Sequence, residues 1–531
     1  MDAHIYPKGC AFNTLEDIKD KHVTVMGLGL NGGGEASVKF FLKHGAYVTV
    51  TDMKTADELR PTIESISADS TIDKSRLIYV LGQHRIEDFS EADCVIKNPG
   101  VRFEGNQYLA AAKAVETDIS IFLHFTKSPI IAVTGSKGKS STVSSIDYGL
   151  RQAGFTSFLG GNITVSPLTF LHETSGLTPV VLELSSWQLR DLRGRGCLKP
   201  KIAVITKIVP DHQNWYHSMD KYIQDKMLIF ENQTAEDFTI LDFDEDNYST
   251  DSETPDPEIH KWGDFFAKAT KGTVLRYSKN PLPKNVFGVW QKINRNGLIE
   301  GYETLPFNLR TVKAQKHFEE SQQIMGKLSV PGAHMKTNVL NACLCLRLMG
   351  VAPEQTMQIL GQWKGIPHRL ELFLRAKYNK MHLAFYNDSA ATVPQAVCEA
   401  IKAFDRPIIL ITGGTDKQLD FTPLANTLEG KDGTKNLPKE IFALEGSGTD
   451  KLLDLTDTKK VRINGPYESI KRLITVLKSH LDHGGTQFYG ISTEDTPLVI
   501  VFSPGATSFG MFKNEFDRGN TFKGVVKEFF I

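Results

Sequence analysis

The residues most able to do chemistry in this sequence lie in the stretch PIIAVTGSKGKSSTVSSIDYGLRQAG, residues 129–154. The apolar residues 130–133 predict a buried parallel strand, and small and apolar residues recur at helical spacing after the loop. Gly135 and Gly138 allow the loop to turn its N–H groups toward an anion without a steric penalty. A strand, a glycine turn and a helix N-terminus in this order are typical of a phosphate-binding loop.

Lys139 and the serines after it supply the charge and the oxygens that such a loop needs. Lys139 would neutralise the β- and γ-phosphates of a nucleotide, and Ser140 or Ser141 would give an oxygen to Mg²⁺. The loop, TGSKGKSS, is shorter than the general phosphate loop, since Val133 occupies the position of its first glycine. The alternative is an ordinary strand-turn-helix corner with a surface lysine. The strand before the loop and the helix after it favour phosphate binding.

A second glycine loop opens the first section of the chain, VTVMGLGLNGGGEASVKFFLKHGAYVTVTD. Gly27, Gly29 and Gly32 match GxGxxG between a strand and a helix, and Asp52 ends the next strand, where a dinucleotide fold places its ribose-binding acid. Tight packing of the strand on the helix would explain the same glycines without a dinucleotide. The residues alone leave both interpretations open.

Polar residues follow three later strands, at the edge where α/β sheets bind their ligands. CVIKNPGV ends a strand with Pro-Gly, and Glu183 lies in the otherwise apolar strand VVLELSS. A buried carboxylate is costly unless it is paired or binds a metal, so Glu183 is a candidate ligand; the alternative is an outward position in a half-buried strand. His212 follows the strand KIAVITKIV, and Lys226 lies in a helix predicted over residues 219–232. Each of these two residues, taken alone, is more typical of a protein surface.

Length, charge and cysteine usage exclude several classes of protein. A chain of 531 residues is too long to fold around one hydrophobic core, so several domains are predicted. The net charge of −1 provides no overall field for nucleic acid or an anionic membrane. The cysteines show no CxxC and no paired histidine spacing, so neither a zinc site nor a disulfide framework is predicted. No apolar run approaches the roughly 18 residues of a membrane span, and the N-terminus lacks a signal-peptide pattern, so we expect a cytosolic protein.

The order of apolar and polar runs predicts an α/β protein. Strand-like runs alternate with helical ones through residues 22–125, 126–364 and 365–531, which implies parallel sheets with helices on both faces. Further helices are predicted over residues 338–349 and from Pro353 onward. Residues 236–258 are acidic and contain no Lys or Arg, so they are predicted to be a solvated insertion or loop.

An ordered series of these stretches resembles the Mur ligases, ATP-dependent amide-forming enzymes of peptidoglycan precursor synthesis. The series runs over nearly the whole chain: GLGLNG, KNPG, TGSKGKSST, GGN, LELSSWQL, DH, DK, PGAH, GIPHRLE, NDSAAT, GGTDK and SPGATSFGMFKNEFDRG. LELSSWQL, GIPHRLE, NDSAAT and the C-terminal stretch are most similar to the members that add D-glutamate. The DNPR signature of the diaminopimelate- or lysine-adding members is absent.

The resemblance implies three domains. These are a Rossmann-like UDP-binding domain over residues 1–125, a central P-loop ATPase-type domain with a mostly parallel sheet over residues 126–364, and a Rossmann-like amino-acid-binding domain over residues 365–531. The implied activity is ATP-dependent addition of D-glutamate to UDP-N-acetylmuramoyl-L-alanine through an acyl phosphate, in cell-wall biogenesis that supports cell shape and division. The expected ligands are these substrates, ATP and two Mg²⁺ ions. Neither nucleic-acid binding nor membrane insertion is expected. The protein is expected to be a monomer.

The resemblance also assigns roles to the residues that match the motifs of the family. ATP contacts are implied for Gly135, Ser136, Lys137, Gly138, Lys139, Ser140, Ser141, Asn338, Arg369 and Asp388. Contacts with the UDP precursor are implied for Gly29, Leu30, Asn31, Asp52, Asn98, Pro99, Gly100 and Asn162. The amino acid is expected at Thr392, Lys417 and Ser508. Catalysis is assigned to Lys139, Glu183, His212 and Lys226, and the metal ions to Ser140, Glu183, His212 and Lys226.

Lys226 cannot bind a metal ion as an ammonium group, because it then has no lone pair, and Mg²⁺ prefers hard oxygen ligands. The resemblance implies that its neutral amine adds CO₂ and becomes a carbamate. The sequence also departs from the family at three positions. Met335 stands where the family has an adenine-contacting asparagine, and Ala390 stands where a lysine is usual in NDSAAT. In FKNEF the aromatic residue follows Glu515 rather than Asn514.

Two other functions fit parts of the sequence. One is a related ligase, of the Mur or folylpolyglutamate type, with another amino acid or acceptor. The other is a non-catalytic regulator that binds a nucleotide. A regulator would not need Glu183 together with His212 and Lys226.

Overall fold

The computed structural model describes residues 3–244, 261–309, 321–483, 492–508 and 511–531. These residues form three β-sheets covered by helices, and most strand pairs are parallel, so the predicted α/β class is confirmed. The chain divides into two compact units, the first made of Met1–Gly326 with Thr337–Leu360 and the second of Lys327–Lys336 with Gly361–Ile531. The first unit contains two sheets and the second unit contains one. The domain boundaries at residues 125 and 364 stay predictions.

The first sheet is fully parallel, with the strand order β3-β2-β1-β4-β5. Its strands are β1 (His22–Met26), β2 (Tyr47–Asp52), β3 (Leu77–Leu81), β4 (Cys94–Lys97) and β5 (Val115–Glu116). Its helices are α1 (Gly33–Lys43), α2 (Arg60–Ala68), α3 (Glu87–Ser90), α4 (Gln107–Ala111) and α5 (Asp118–Phe125). Gly32 precedes α1 with φ +83°, in the left-handed region where glycine is favoured, so the GxGxxG turn forms where the sequence predicts it.

The second sheet has nine strands in the order β14-β13-β12-β11-β10-β9-β6-β8-β7. The strands are β6 (Ile130–Thr134), β7 (Phe158–Gly161), β8 (Val180–Glu183), β9 (Ile202–Ile205), β10 (Phe238–Asp242), β11 (Thr273–Ser278), β12 (Gly288–Ile293), β13 (Ile299–Thr304) and β14 (Gln322–Met325). The helices are α6 (Lys139–Gln152), α7 (Ser186–Arg190), α8 (Gln213–Tyr216), α9 (Met219–Met227), α10 (Trp262–Ala269), α11 (Ala333–Leu348) and α12 (Pro353–Gly361). Strands β12, β13 and β14 pair antiparallel, and the other pairs are parallel. All residues of β6, β8 and β9 are buried, as expected for parallel strands covered on both faces.

The acidic segment, residues 236–258, differs in part from the solvated loop that its composition predicts. Its residues 238–242 form β10, a buried parallel strand between β9 and β11, and Ile240 and Leu241 are fully buried. The prediction of a solvated loop is therefore wrong for this part, because the charges of the whole window concealed the short apolar run FTIL. Residues 245–258 of the segment lie outside the described residues.

Two helix boundaries also differ from the prediction. The helix predicted over residues 219–232 ends at Met227 and continues as the 3₁₀ turn Leu228–Phe230. The helix predicted to begin at residue 338 begins at Ala333.

The sheet of the second unit has the order β15-β16-β20-β17-β18-β19. Its strands are β15 (Glu371–Tyr378), β16 (Met381–Asn387), β17 (Ile409–Gly413), β18 (Glu440–Leu444), β19 (Ile463–Tyr467) and β20 (Leu498–Phe502). Its helices are α13 (Pro394–Lys402), α14 (Thr422–Leu428), α15 (Ser447–Leu455), α16 (Ile470–Asp482) and α17 (Glu515–Phe530). Among the strands of this sheet that the structure describes, only β15 runs antiparallel, so the loops after β16, β17 and β20 emerge at the same edge of the sheet. Within the described ranges, no helix combines the length and apolarity that crossing a bilayer requires.

Candidate active site

The register of the second sheet brings several predicted residues to one edge. Val133 of β6 pairs with Glu183 of β8, and Thr134 pairs with Ile205 of β9. The loop that follows β6 therefore begins beside the carboxylate that ends β8. This is the edge of a parallel sheet where ligands bind.

The phosphate loop after β6 requires its glycines for steric reasons. Gly135 has φ +145°, and a Cβ atom there would lie 2.0 Å from the Thr206 hydroxyl. Gly138 has φ +96°, and a Cβ atom there would lie 2.5 Å from the Asn338 Oδ1 atom. The loop is thus packed between the chain after β9 and helix α11, which places Asn338 beside it.

Ser136 uses its hydroxyl to anchor this loop. Its Oγ atom donates to the Val209 carbonyl at 2.8 Å, accepts from the Val209 N–H at 3.0 Å, and lies 2.9 Å from the Tyr222 hydroxyl. Lys137 is exposed, and its N–H donates to the Lys207 carbonyl. These contacts fix the loop conformation, and the predicted ATP contacts of both residues stay predictions.

Lys139 lies against the same loop. Its ammonium group donates to the Gly135 carbonyl at 2.9 Å and to the Ser136 carbonyl at 3.1 Å. Burial lowers the pKa of Lys139, and the charges of Glu183 and Asp211 oppose that shift. The side chain is therefore held at the loop that the phosphates would occupy.

Glu183 is a buried carboxylate with capacity for a metal ion. Only 1% of the residue is exposed, and its Oε1 atom accepts from the Asn162 amide at 3.0 Å. In the part of the chain that the structure describes, its buried Oε2 atom has no hydrogen-bond donor. A free carboxylate oxygen beside a phosphate loop fits Mg²⁺, and Ser140, half-buried in the first turn of α6, can add a hydroxyl oxygen.

Phosphate oxygens and water would have to complete such a metal site. Across the described residues, no three His, Cys, Asp or Glu side chains cluster in a way that could hold a metal ion. This agrees with the usual binding of Mg²⁺ through one or two carboxylates and substrate phosphates.

Lys226 reaches the phosphate loop from helix α9. The residue is 1% exposed, and its Nζ atom donates to the Gly135 carbonyl at 2.9 Å and to the Thr134 hydroxyl at 3.4 Å. Burial holds the pKa of Lys226 well below its usual value, and the positive charge of Lys139 lowers it further. The alternative of a surface lysine is thereby excluded, and burial favours the neutral amine.

His212 lies near this group but is more exposed. The backbone of His212 has φ +53°, and the ring nitrogen Nε2 lies 3.9 Å from the Asp211 carboxylate. The Tyr222 ring is 6.5 Å from the His212 ring centroid and 4.5 Å from the Lys226 ammonium nitrogen, so both residues flank Tyr222. Tyr222 was not predicted from the sequence as a site residue, although it lies four residues before Lys226, on the same face of α9.

Two arginines fix the position of α9. Arg193 forms an ion pair with Asp225 at 2.6 Å, and Arg190 lies 3.8 Å from the other oxygen of this carboxylate. Asp225 precedes Lys226, so the pairing helps to orient the helix end that carries the buried amine. Neither arginine was predicted from the sequence to have a role.

A cavity of about 390 Å³ lies between the first two sheets. It is lined by five of the residues assigned to the UDP precursor: Asn31, Asn98, Pro99, Gly100 and Asn162. Because the Asn162 amide also donates to Glu183, the wall of the cavity touches the candidate metal ligand directly. Other residues also line the cavity, among them Lys97 and Asp118, which were not predicted from the sequence to contact the precursor.

Gly29, Leu30 and Asp52 do not line this cavity. The Asp52 carboxylate accepts from the Gly29 N–H at 3.1 Å and from the Lys54 N–H at 2.9 Å. Leu30 is exposed. Asp52 therefore shapes the glycine loop, and its contact with the precursor stays a prediction.

The residues assigned to the amino acid share one edge of the sheet in the second unit. The Gly505 N–H donates to the Ala391 carbonyl, and the Thr507 N–H donates to the Thr415 carbonyl, both at 2.9 Å. These bonds join the loops that carry Thr392, Lys417 and Ser508. Lys417 is exposed, Thr392 is half-buried and Ser508 is buried.

Comparison with known proteins gives the family. Residues 133–346 match the Mur ligase middle domain, and residues 21–121 match the Mur ligase MurD-like N-terminal domain. The UDP-N-acetylmuramoylalanine–D-glutamate ligase of Treponema pallidum is 35% identical over 97% of this chain and 98% of its own length. The ligase of the same name from Borreliella afzelii is 37% identical over 96% of this chain and 99% of its own. The chain belongs to the Mur ligase family.

Solved structures agree with this Mur ligase in fold. The UDP-N-acetylmuramate-alanine ligase of Thermotoga maritima superimposes with a TM-score of 0.51 at 16% identity, covering 96% of this chain and 99% of that one. The MurF ligase of the same organism, in complex with ADP, gives a TM-score of 0.50 at 13% identity, covering 99% of each chain. At such low identity these likenesses support the fold alone.

Asp388 and Arg369 of this Mur ligase lie in the second unit. Asp388 is buried, and its carboxylate accepts from the Ser503 hydroxyl at 2.7 Å and from the Leu370 N–H at 3.1 Å. Burial raises the pKa of Asp388 to about 7, against the opposing effects of Ser503 and of Arg369, which is exposed. Their contacts with ATP stay predictions.

The raised pKa of Asp388 predicts a pH-dependent stability. The folded state holds this proton up to about pH 7, whereas the unfolded chain releases it near the ordinary value of 3.8. The contribution of the neutral carboxyl is therefore complete below the unfolded value and is lost as the pH rises through the folded one. Thermal unfolding should show a Tm that falls over this window in the wild type and less steeply in Asp388→Asn. Parallel curves for the two proteins would contradict the assignment.

Proposed function

We propose that this Mur ligase joins D-glutamate to UDP-N-acetylmuramoyl-L-alanine at the expense of ATP. The relatives that carry this name match nearly the whole chain. The observation that carries the chemistry is the convergence of Lys139 and Lys226 on the carbonyl of Gly135, beside the carboxylate of Glu183. Phosphoryl transfer needs positive charge at a phosphate-binding loop, which Lys139 supplies directly and which Mg²⁺ held by Glu183 and a carbamylated Lys226 would add.

The reaction begins with activation of the precursor carboxylate, because oxide is a poor leaving group. A carboxylate oxygen attacks the γ-phosphorus of ATP, the bond to the β,γ-bridging oxygen breaks, and an acyl phosphate and ADP form. Lys139 stabilises the charge that develops on the phosphoryl oxygens, and the glycine loop holds the nucleotide in line. The neutral amine of D-glutamate then attacks the acyl carbon, phosphate leaves, and the ammonium proton is released.

Asn162 lies between the cavity assigned to the precursor and the phosphate loop. Its amide donates to Glu183 and lines the cavity assigned to the precursor. A carboxylate at the end of a precursor bound there would reach the phosphate loop at Glu183. Orientation of this kind lowers the barrier by fixing the reacting atoms before the step.

Glu183 and Ser140 would hold one Mg²⁺ ion, and His212 with a carbamylated Lys226 would hold the second. Bound Mg²⁺ supplies positive charge to the phosphate oxygens of ATP. The buried amine of Lys226 suits carbamylation, since burial lowers its pKa and so increases the fraction of neutral amine that can attack CO₂. The N–C bond forms, one proton is released, and the product is an anionic oxygen ligand.

A nucleotide-binding regulator is the alternative from another class of protein. It would require the phosphate loop, but not a buried lysine amine beside it. The position of Lys226 therefore favours the ligase over the regulator.

Lys417 would set the preference for an acidic amino acid, because an exposed ammonium group can pair with a carboxylate. Lys417→Ala should raise the KM for D-glutamate by roughly 10-fold or more, as expected for the loss of a hydrogen bond between charged groups, and should leave the KM for ATP nearly unchanged. Steady-state kinetics with each substrate varied in turn measures both constants. Lys435→Ala removes another exposed lysine of the second unit and serves as the control. A rise in the KM for ATP instead would mean that Lys417 is misassigned.

The proposed function is tested by phosphate release from ATP with a panel of UDP-linked precursors and amino acids. UDP-N-acetylmuramoyl-L-alanine with D-glutamate should give the largest rate and a product one glutamyl residue heavier. A higher rate with another pair would support a related ligase. Nucleotide binding without turnover for any pair would support the regulator.

A further inference from the structure

Arg518, at the start of α17, is a buried cation to which the proposed mechanism gives no role. Only 1% of the residue is exposed, and burial lowers its pKa to about 10, so the guanidinium stays charged at neutral pH. In the described part of the chain, no carboxylate forms an ion pair with it; Glu515 acts on it only at longer range. A buried charge without a counterion is costly and requires a compensating arrangement.

The compensation comes from neutral oxygens of two loops. The Arg518 side chain donates from Nε to the Ser389 hydroxyl at 3.0 Å and from Nη2 to the Ser389 carbonyl at 2.8 Å. Its Nη1 donates to the carbonyls of Ala506 and Thr507 at 2.9 and 3.0 Å. One guanidinium thus ties the loop after β16 to the loop after β20, the loops that carry Thr392 and Ser508.

These bonds also orient the backbone at Ser508. Because the peptide unit is planar and trans, the Ser508 N–H points opposite to the Thr507 carbonyl, and therefore away from Arg518. The preceding N–H, that of Thr507, is used by the Thr415 carbonyl of the loop that carries Lys417. Arg518 thereby sets the direction of the N–H at the residue assigned to the amino acid.

We propose that Arg518 is a positioning residue for the amino-acid substrate. It fixes the two loops, and its fixed positive charge attracts a carboxylate of an acidic amino acid bound at them. This inference rests on the proposed function. In a site of low dielectric, a charge held in place before binding stabilises an incoming anion without reorganisation. A neutral amino acid would leave the same charge without its partner, so Arg518 would also favour acidic over neutral substrates.

The experiment compares Arg518→Met, which removes the charge, with Arg518→Lys, which keeps the charge but cannot reach all the oxygens. Arg518→Met should raise the KM for D-glutamate by about 10- to 100-fold, the range expected for lost interactions with a charged group, and change the KM values for ATP and the precursor by less than about 3-fold. It should also reduce the preference for D-glutamate over D-glutamine. Arg518→Lys should retain that preference and raise the KM for D-glutamate by a smaller factor, about 3-fold or more.

Arg347→Met is the matched control, since Arg347 is also buried but is neutralised by Glu303 at 2.9 Å in the first unit. It should lower the Tm without a selective change in the KM for D-glutamate. If Arg518→Met fails to fold, the KM for D-glutamate of Arg518→Lys tests the inference. An unchanged KM for D-glutamate in Arg518→Lys, or equal rises in all three KM values in either variant, would overturn the inference. Absence of D-glutamate-dependent phosphate release in the wild type would instead overturn the proposed function.

Discussion

Lys226→Ala is expected to lower kcat by about 10³-fold or more, comparable to the loss of a group that stabilises charge in the transition state. The side chain is buried beside the Gly135 carbonyl, where its replacement removes both the amine and the oxygen ligand that carbamylation would create. Formate or acetate should partly restore turnover by occupying the vacated position. Steady-state phosphate release with and without these anions measures the effect.

The wild type provides an independent test of the same residue. Removing CO₂ from the buffer should lower the activity, and bicarbonate should restore it, because a carbamate is in equilibrium with dissolved CO₂. Lys221→Ala, which changes an exposed lysine of the same helix, should respond to CO₂ as the wild type does. Normal turnover of Lys226→Ala would remove Lys226 from the mechanism.

Lys139→Ala should reduce acyl-phosphate formation by about 10³-fold or more, since its charge acts on the transferring phosphoryl group. Its ammonium group is bonded within the phosphate loop, whereas the precursor cavity is lined by other residues. The Kd for the UDP precursor should therefore stay within about 2-fold of the wild type, a difference of less than about 0.5 kcal/mol.

Single-turnover ADP formation and calorimetric titration with the precursor measure the two quantities for Lys139→Ala. Arg151→Ala is the control, since Arg151 lies on the same helix and forms an ion pair with Asp147 at its surface. Parallel loss of precursor binding and of phosphoryl transfer would contradict the separation of the two sites.

The local parts of the fold could be predicted from sequence because they depend on neighbouring residues. The strand, glycine turn and helix around Lys139 appear as expected, since each follows from a short apolar run and the special backbone of glycine. Strand β10 was missed because five residues within a longer acidic window do not change its overall composition. The error was one of window length.

Contacts between distant segments could not be predicted in the same way. The bond between Asn162 and Glu183 depends on the register of β7 and β8, and the burial of Lys226 depends on α9 packing against the loop after β6. In the sequence, Arg518 looks like an ordinary charged residue of a terminal helix. Its burial depends on the loops around Ser389 and Thr507, which bond to it in the folded structure. Sequence spacing carries no information about such partners, which lie more than 10 positions away in each case.

Transfer of ¹⁸O from the precursor carboxylate to phosphate tests the central claim most directly. If the carboxylate attacks ATP to form an acyl phosphate, one labelled oxygen of UDP-N-acetylmuramoyl-L-alanine should appear in the released phosphate for each amide bond formed with D-glutamate. Mass spectrometry of the phosphate and of the product measures both. Phosphate without the label, alongside product formation, would contradict the account.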